Sequence, residues 1–425
     1  MEPANMSTLT PFILGVNYWP RRKAMYWWSD FDAAEVDDEF ALIRDVGLYA
    51  VRIFLLWDDF QPDPKCVDKH ALANLVKVAD LAAKHGLGLD VTFFTGHMSG
   101  PNWAPRWLLQ ARQGFPSPYF GFVRQVVSQG KVVPEGNYRN MFTEPDALQA
   151  ERLLLKTVVG ALKGHVGVWM WNLGNEPDLF AWPASAAQGR AWVREMTQTI
   201  KEIDESKPVT IGMHSANLEM DTGLRVHDVF AETDVAVMHA YPMYTEWVRG
   251  PLDPDHVPFM TALTAHLAGK PALMEEFGGP TNLPGQPSAT WAWTAYGMDR
   301  TQFMASEEDF TEYIRQVLPN VQAVGATGAM LWCFADYAEE LWHLPPCGES
   351  RHERHFGLVR PDGTLKPHVE VIRRFAASQP TVQPIPAYAC FDGLTGEDFY
   401  EKRLYEEIGT LYQQYLERKT RQLVK

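Results

Sequence analysis

Cysteine is scarce in this chain and poorly placed for any shared task. There are four, Cys66, Cys333, Cys347 and Cys390, among 425 residues, and no CxxC pair. That spacing argues against zinc ligation and a disulfide framework and fits a reduced, cytosolic protein. Basic clusters are missing as well. The net charge is −15, which argues against nucleic acid or an anionic membrane surface as partner. No apolar run reaches the length of a membrane span. The opening residues, MEPANMSTLTPF, have neither a basic start nor an apolar h-region, so no secretion signal is expected. These absences together predict a soluble, cytoplasmic protein.

What is present is apolar and aromatic. Hydrophobic residues make up 46% of the chain, enough for a large core, and Trp occurs fifteen times, often beside Gly, Pro, Asn or Asp. A single Trp in such a place is most simply a core residue. Many of them at loop positions suit a cleft that stacks the apolar face of a sugar on an indole.

Short β-rich runs alternate with helical stretches. The expected strands are Phe12–Tyr18, Ala50–Leu56, Gly88–Phe94, Gly167–Asn172, Pro208–Met213, Val235–His239, Ala272–Glu275 and Ala329–Phe334. Between them the apolar period is 3.6, as in Val36, Phe40 and Ile43, or Trp192, Met196, Ile200 and Ile203. Strict alternation means parallel pairing, and eight such units close into a (β/α)8 TIM barrel. The third-to-fourth and seventh-to-eighth intervals are longer than the roughly forty residues of a plain unit. The excess lies at Thr95–Pro145 and Gly279–Ser306, where loops rim the mouth of such a barrel. The barrel is expected over residues 1–378. Residues 379–425 form a proline-containing connector and a charged helix with Leu404, Ile408, Leu411 and Tyr415 on one stripe. That helix either docks on its own barrel or makes a homo-oligomer contact.

The stretch Trp169–Phe180, WMWNLGNEPDLF, carries the chemistry. An apolar strand stops at Asn172, Asn175 and Glu176, and Pro177 forbids its continuation. Glu176 is thereby presented at a strand end, where parallel-sheet folds place reacting groups. A second carboxylate lies in PALMEEFGG at the end of the seventh strand. Alternation sends Glu275 and Glu276 to opposite faces, so only one is expected in the mouth. Arg52 in VRIF, His97 after FFTG, His239 and Tyr241 in HAYP, and Trp332 in MLWCF end other strands at the same rim.

Asn175-Glu176-Pro177 together with Glu276-Phe277-Gly278 resembles the retaining glycoside hydrolases of clan A, and the fuller set resembles glycoside hydrolase family 5, over roughly residues 12–378. The resemblance implies that Glu176 is the acid/base and Glu276 the nucleophile, which selects Glu276 over Glu275. It also implies that Arg52, His97, Asn175, His239, Tyr241 and Trp332 bind substrate. The segments GVNYWPRR, VRIFLLWDDFQP and FGLVRPDGTLKP are similar to the intracellular exo-β-mannosidase branch. A β-galactosidase or β-glucosidase and an endo-β-mannanase are the alternatives.

Cleavage of a glycoside needs one protonated carboxyl and one ionised one. Arg52 and Tyr241 are expected to keep Glu276 ionised, and an aromatic surround to raise the pKa of Glu176. A metal-dependent barrel hydrolase would need a histidine pair on the first strand. ILGVNYWP has none, so neither metal nor other cofactor is expected. A sugar-binding barrel without catalysis would not need both Glu. The aromatic residues Trp103, Trp107, Phe115, Tyr119, Phe120, Trp291, Trp293 and Tyr296 of the two long loops are expected to wall one side of the cleft and leave a pocket for a terminal sugar.

Overall fold

Eight strands run in parallel around one core. They are β1 (Ile13–Asn17), β2 (Ala50–Leu56), β3 (Gly88–Thr95), β4 (Val168–Asn175), β5 (Val209–Gly212), β6 (Ala236–His239), β7 (Ala272–Gly278) and β8 (Gly328–Trp332). The computed structural model describes residues 10–109, 125–133 and 138–423. Each strand bonds to the next, and β8 returns to β1 through Ile13 opposite Gly328. Between β5 and β6 the ring is closed by a thinner seam. His214 bridges to His239, and the His239 amide donates to the Met213 carbonyl at 2.8 Å. Strands covered on both faces should read as continuous apolar runs, and β2, AVRIFLL, is buried throughout.

Helices follow the strands on the outside: α1 (Ala33–Val46), α2 (Lys69–Lys84), α3 (Pro145–Leu162), α4 (Ala186–Lys201), α5 (Val226–Phe230), α6 (His256–Ala268), α7 (Glu307–Ala323) and α8 (His368–Ala377). Their ends are written locally. The Asp32 and Asp68 carboxylates accept from the first-turn amides of α1 and α2, and Ser185 and Ser306 cap α4 and α7, each satisfying otherwise orphaned N–H groups. The eight strands fall within a few residues of the predicted segments.

The two long loops are built. After β3, Asn102–Trp103, Val126–Ser128 and Lys131–Val133 form a small sheet. After β7, Ala289–Ala295 and Met298–Met304 form an antiparallel hairpin. The connector after α8 pairs with the start of the chain, the Phe12 amide donating to the Pro380 carbonyl at 2.8 Å. Two helices follow, α9 (Gly396–Tyr400) and α10 (Leu404–Leu423). The stripe Leu404, Ile408, Leu411 and Tyr415 is buried against the barrel together with Tyr412. The Tyr412 hydroxyl donates to Asp253 at 2.6 Å, and its ring lies 5.3 Å from Trp247. The apolar face of α10 is therefore used within the chain, which leaves an oligomer contact without that face. No helix of the described residues is long and apolar enough to cross a membrane.

Beneath this dock lies His256, fully buried, with no hydrogen-bond partner at either ring nitrogen. Burial pushes its pKa down to about 3, with Asp253 opposing. In the unfolded chain an imidazole takes its proton near pH 6.5. The contribution to stability is therefore complete above that pH and is lost as pH falls toward 3. Between pH 7 and 5 wild-type protein should lose about 2 kcal/mol more unfolding free energy than His256→Gln. Equal losses in urea titrations of the two proteins would show that the imidazole is not held neutral.

Candidate active site

The mouth of the barrel is organised by one guanidinium. Arg52 on β2 is fully buried. Its Nε donates to Thr92 Oγ1 at 3.0 Å, Nη1 to Asn17 Oδ1 at 3.2 Å and to Glu276 Oε2 at 3.0 Å, and Nη2 to Asn175 Oδ1 at 3.1 Å. Nη2 also lies 3.5 Å from Glu275 Oε2. Four strands are tied to one planar fork. Gly212 on β5 makes room for it, because a Cβ there would sit 2.7 Å from Nη2 and 3.0 Å from the His239 ring.

Glu176 stands just past β4 with φ +46° and ψ +55°. This left-handed conformation is costly for a residue with a side chain, about 1–3 kcal/mol, and such strain collects at functional sites. Pro177 denies it the right-handed helical alternative. The strain aims Glu176 Oε1 at His239 Nδ1, 2.8 Å away. The other ring nitrogen of His239 lies 2.9 Å from Glu275 Oε2, and Nδ1 is 3.6 Å from Glu276 Oε2. Both ring nitrogens thus face carboxylates, an arrangement that calls for a proton on each. Burial alone would lower the His239 pKa, but Glu276, Glu176 and Glu275 together raise it to about 9. Tyr241 donates to Glu276 Oε1 at 2.6 Å.

The expected pKa order of the two Glu is reversed in this site. Burial raises both. For Glu176 the attraction of His214, His239 and His97 outweighs burial and holds it below the usual carboxylate range. For Glu276 burial prevails, helped by the charge of Glu176, and its pKa is raised. The cation is shared unevenly: His239 bonds Glu176 directly and stands off from Glu276.

Alternation also fails at one place. The register slips after Met274 on both sides of β7, so Glu275 and Glu276 are both interior. Glu275 is fully buried, accepts from Asn172 Nδ2 at 3.0 Å, and is held ionised against burial by Arg52 and His239. Asp90 on β3, also fully buried and 3.8 Å from Arg52 Nε, has a pKa raised well above normal by burial and by Glu275. A bulge is a recognised way of re-aiming side chains beside a site.

The pocket in front of this network has a volume of about 390 Å³, the low end of the range for small-molecule sites. All eight expected site residues except buried Arg52 reach its wall: Glu176, Glu276, His97, Asn175, His239, Tyr241 and Trp332. His97 is held by Asn102 Oδ1 at 2.8 Å, and its carbonyl accepts from Asn175 Nδ2 at 3.1 Å. Among the wall residues that were not foreseen are Ser99, His214, Tyr244, His352 and Glu353. His214 closes β5 and bonds Asp178 at 3.0 Å, and its place at a strand end was a readable signal. Glu353 and His352 lie in a charged loop far beyond β8, and no sequence pattern marks them.

The expected aromatic wall stands one layer back. Among the described residues Trp103, Trp107, Trp291, Trp293 and Tyr296 are not part of the pocket lining. Phe115, Tyr119 and Phe120 fall outside the described residues. Trp293 Nε1 instead donates to the Glu349 carbonyl at 2.7 Å, and the Tyr296 amide to the Glu349 carboxylate at 2.6 Å. The hairpin after β7 thus supports the loop after β8. That loop meets the one after β3. Ser99 Oγ donates to Glu353 Oε2 at 3.0 Å, and a Cβ on Gly100, whose φ is +114°, would fall 2.4 Å from Ser350 Oγ. Glu353 is buried, its pKa raised to about 7 by burial against hydrogen bonds from Ser99 and Trp332.

A strained carboxylate and a second one on opposed strands, with a shared cation, make up a site for acid–base work on a neutral, polar substrate. The sequence model for "Glycosyl hydrolases family 2, TIM barrel domain" matches residues 120–378, more than half of the chain. The chain belongs to this family of barrel glycosyl hydrolases. Mannan endo-1,4-beta-mannosidase A of Hypocrea jecorina is 25% identical over 302 residues, covering 64% of this chain and 61% of that enzyme. The chain therefore spans less than two thirds of the length of this relative. The exo-beta-1,4-mannosidase Op5Man5 from Opitutaceae bacterium strain TAV5 is 26% identical with a TM-score of 0.68, covering 87% of this chain and 60% of that one. A GH5_18 protein from Bifidobacterium longum subsp. longum, in complex with Manb1-4GlcNAc, has a TM-score of 0.71 at 21% identity, covering 88% and 80%; at that identity the likeness is one of fold. Mannanase relatives and GH5 neighbours bear out the clan A, family 5 reading, while the matching model carries the family 2 number. What they share is the barrel.

Replacing Glu176 by Gln removes one of the carboxylates that hold His239 charged. The His239 pKa, followed by NMR, should drop from about 9 by about one to two units. An unmoved value would mean that Glu275 and Glu276 hold the charge without it.

Proposed function

We propose that this protein is a cytoplasmic, exo-acting β-mannosidase that cleaves terminal β-linked sugars from short oligosaccharides with retention of configuration. The observation that carries the mechanism is the closeness of the two carboxylates. Glu176, Glu276 and His239 have ligand-type atoms all within 4.8 Å of one another. Double displacement wants its carboxyl groups about 5–5.5 Å apart, whereas the inverting route needs more room for a water.

In this reading Glu276 attacks the anomeric carbon, and Glu176 protonates the leaving oxygen and later activates water. The reversed pKa order fits once His239 is counted. Passing the Nδ1 proton along the 2.8 Å hydrogen bond to Glu176 leaves a neutral imidazole and a protonated acid. Arg52 and the Tyr241 hydroxyl donate to Glu276 and stabilise the carboxylate that must attack. Asn175, held by Arg52 and the His97 carbonyl, suits the 2-hydroxyl, and Trp332 forms the floor. The reading needs no metal or other cofactor. Exo action rests on the meeting of the loops after β3 and β8, which closes one side of the mouth. Mannose as the sugar rests on the named activities of the relatives; β-galactosidase or β-glucosidase action is the alternative.

Glu276→Ala should lose activity on an aryl β-mannoside by about 10⁴-fold or more. Azide should restore part of it and give a glycosyl azide of inverted configuration. Full activity in that variant, with the loss falling on Glu275→Ala, would show that the wrong Glu was chosen.

On β-1,4-mannohexaose, chromatography should show monosaccharide from the earliest times. Early di- and trisaccharides without monosaccharide would mean an open groove and internal cutting.

A further inference from the structure

Glu353 is a carboxyl group in the pocket wall that the two-carboxylate mechanism does not use. It is buried, yet lines the cavity. Among the described residues its cationic candidate is His352, whose Nε2 lies 3.5 Å from Oε1. Burial holds that imidazole neutral, with a pKa lowered to about 4. Glu353 is instead held by neutral donors, the Ser99 hydroxyl and the Trp332 indole. A buried carboxylate has room for about four hydrogen bonds, and leaving that capacity unfilled is costly. Two neutral donors leave it acceptor-rich toward the cavity.

Its place in the ring is also informative. Glu353 follows β8 and Ser99 follows β3, so their hydrogen bond spans the ends of β1 and β2. The reacting groups come from β4, β6 and β7, the other side of the mouth. Glu176, Glu276 and Glu353 line one pocket, so a sugar with its anomeric carbon between the first two has room to turn its far edge, bearing the hydroxyls remote from the scissile bond, toward Glu353.

We propose that Glu353 is a specificity-determining residue that accepts hydrogen bonds from hydroxyls on this far edge of a terminal, non-reducing sugar. This deepens the glycosidase reading and rests on it. A hydroxyl already used in a glycosidic link cannot donate, and a chain continuing past that edge would run into the Ser99–Glu353 bridge. An internal sugar therefore loses a bond and meets a wall, whereas a terminal one fills both the carboxylate and the space. Sites built to bond a hydroxyl reject analogues that lack it far more strongly than apolar pockets reject a methylene.

The test is a cycle between protein and substrate. Wild type and Glu353→Gln are compared on an aryl β-mannoside and on its 3-, 4- and 6-deoxy analogues. Glu353→Gln should lower kcat/KM on the parent substrate by about 10- to 100-fold. At least one deoxy analogue should be a poor substrate for wild type and no poorer for the variant. Glu353→Asp, which keeps the charge but withdraws it by one methylene, should show the same coupling, so a folding failure of one variant leaves the other to decide. Equal losses for all three analogues in wild type and variants would overturn the proposal, because a residue that only orients Trp332 would lower every substrate alike. If wild type prefers aryl β-glucosides or β-galactosides, the sugar named above is wrong, and the same cycle on that series decides Glu353. No turnover of any aryl glycoside by wild type would overturn the glycosidase reading and this one with it.

Discussion

The structure depends on a cation placed where water cannot reach it. Arg52 has no exposed surface, and an unpaired guanidinium there would cost several kcal/mol. Its surroundings are built to prevent that. Strands β1, β3, β4 and β7 each contribute a partner to this residue of β2, so meeting the hydrogen bonds of this one side chain also fixes the register of most of the barrel. Removing a partner would leave a buried group unsatisfied, and removing Arg52 would leave Glu275 and Glu276 to repel one another. The site and the core are here the same network.

The network is over-supplied with acid. Asp90, Glu275, Glu276 and Glu176 gather around Arg52 and His239, and four full negative charges could not coexist beside two cations in so dry a place. Proton affinities shift in the direction that relieves the conflict: burial and Glu275 raise the Asp90 pKa, and the three Glu raise that of His239. Charge is thereby adjustable at one atom, the His239 Nδ1 facing Glu176, while the rest is pinned. A glycosidase needs this combination, because its acid must change protonation twice per turnover while its nucleophile stays in register.

The barrel was legible because its signals are periodic and redundant: apolar strands, 3.6-residue stripes and capping residues agree in every unit. The paired Glu were legible because strand ends are marked by a change from apolar to polar, as at Trp171-Asn172. The errors came where a local rule was asked to carry three-dimensional information. Strict alternation sent Glu275 to the opposite face, whereas a bulge of one residue keeps it in the barrel interior beneath the mouth, and of the two only Glu276 lines the pocket. Aromatic residues in the long loops read as a cleft wall, but they back the loop that makes the wall. The pKa order was inferred without the distances from His239 to the two Glu, which decide it. Glu353 was not foreseen, since its meaning comes only from its meeting with Ser99, some 250 residues earlier in the chain.

The C-terminal helix gives this barrel an uncommon dependency. It lies along the β5–β6 side, where the ring of strands is thinnest, packing on Ala216–Glu219 and on α6. Tyr412 presses on Trp247, and Trp247 Nε1 donates to Glu219 at 2.9 Å, a residue that itself lines the pocket. Two side chains thus separate the tail from the cavity. A barrel is usually treated as an interchangeable module whose appendages can be trimmed or exchanged. Here the appendage functions as a hoop around the weakest stave, and the scaffold and its tail would have to be moved between proteins as one piece.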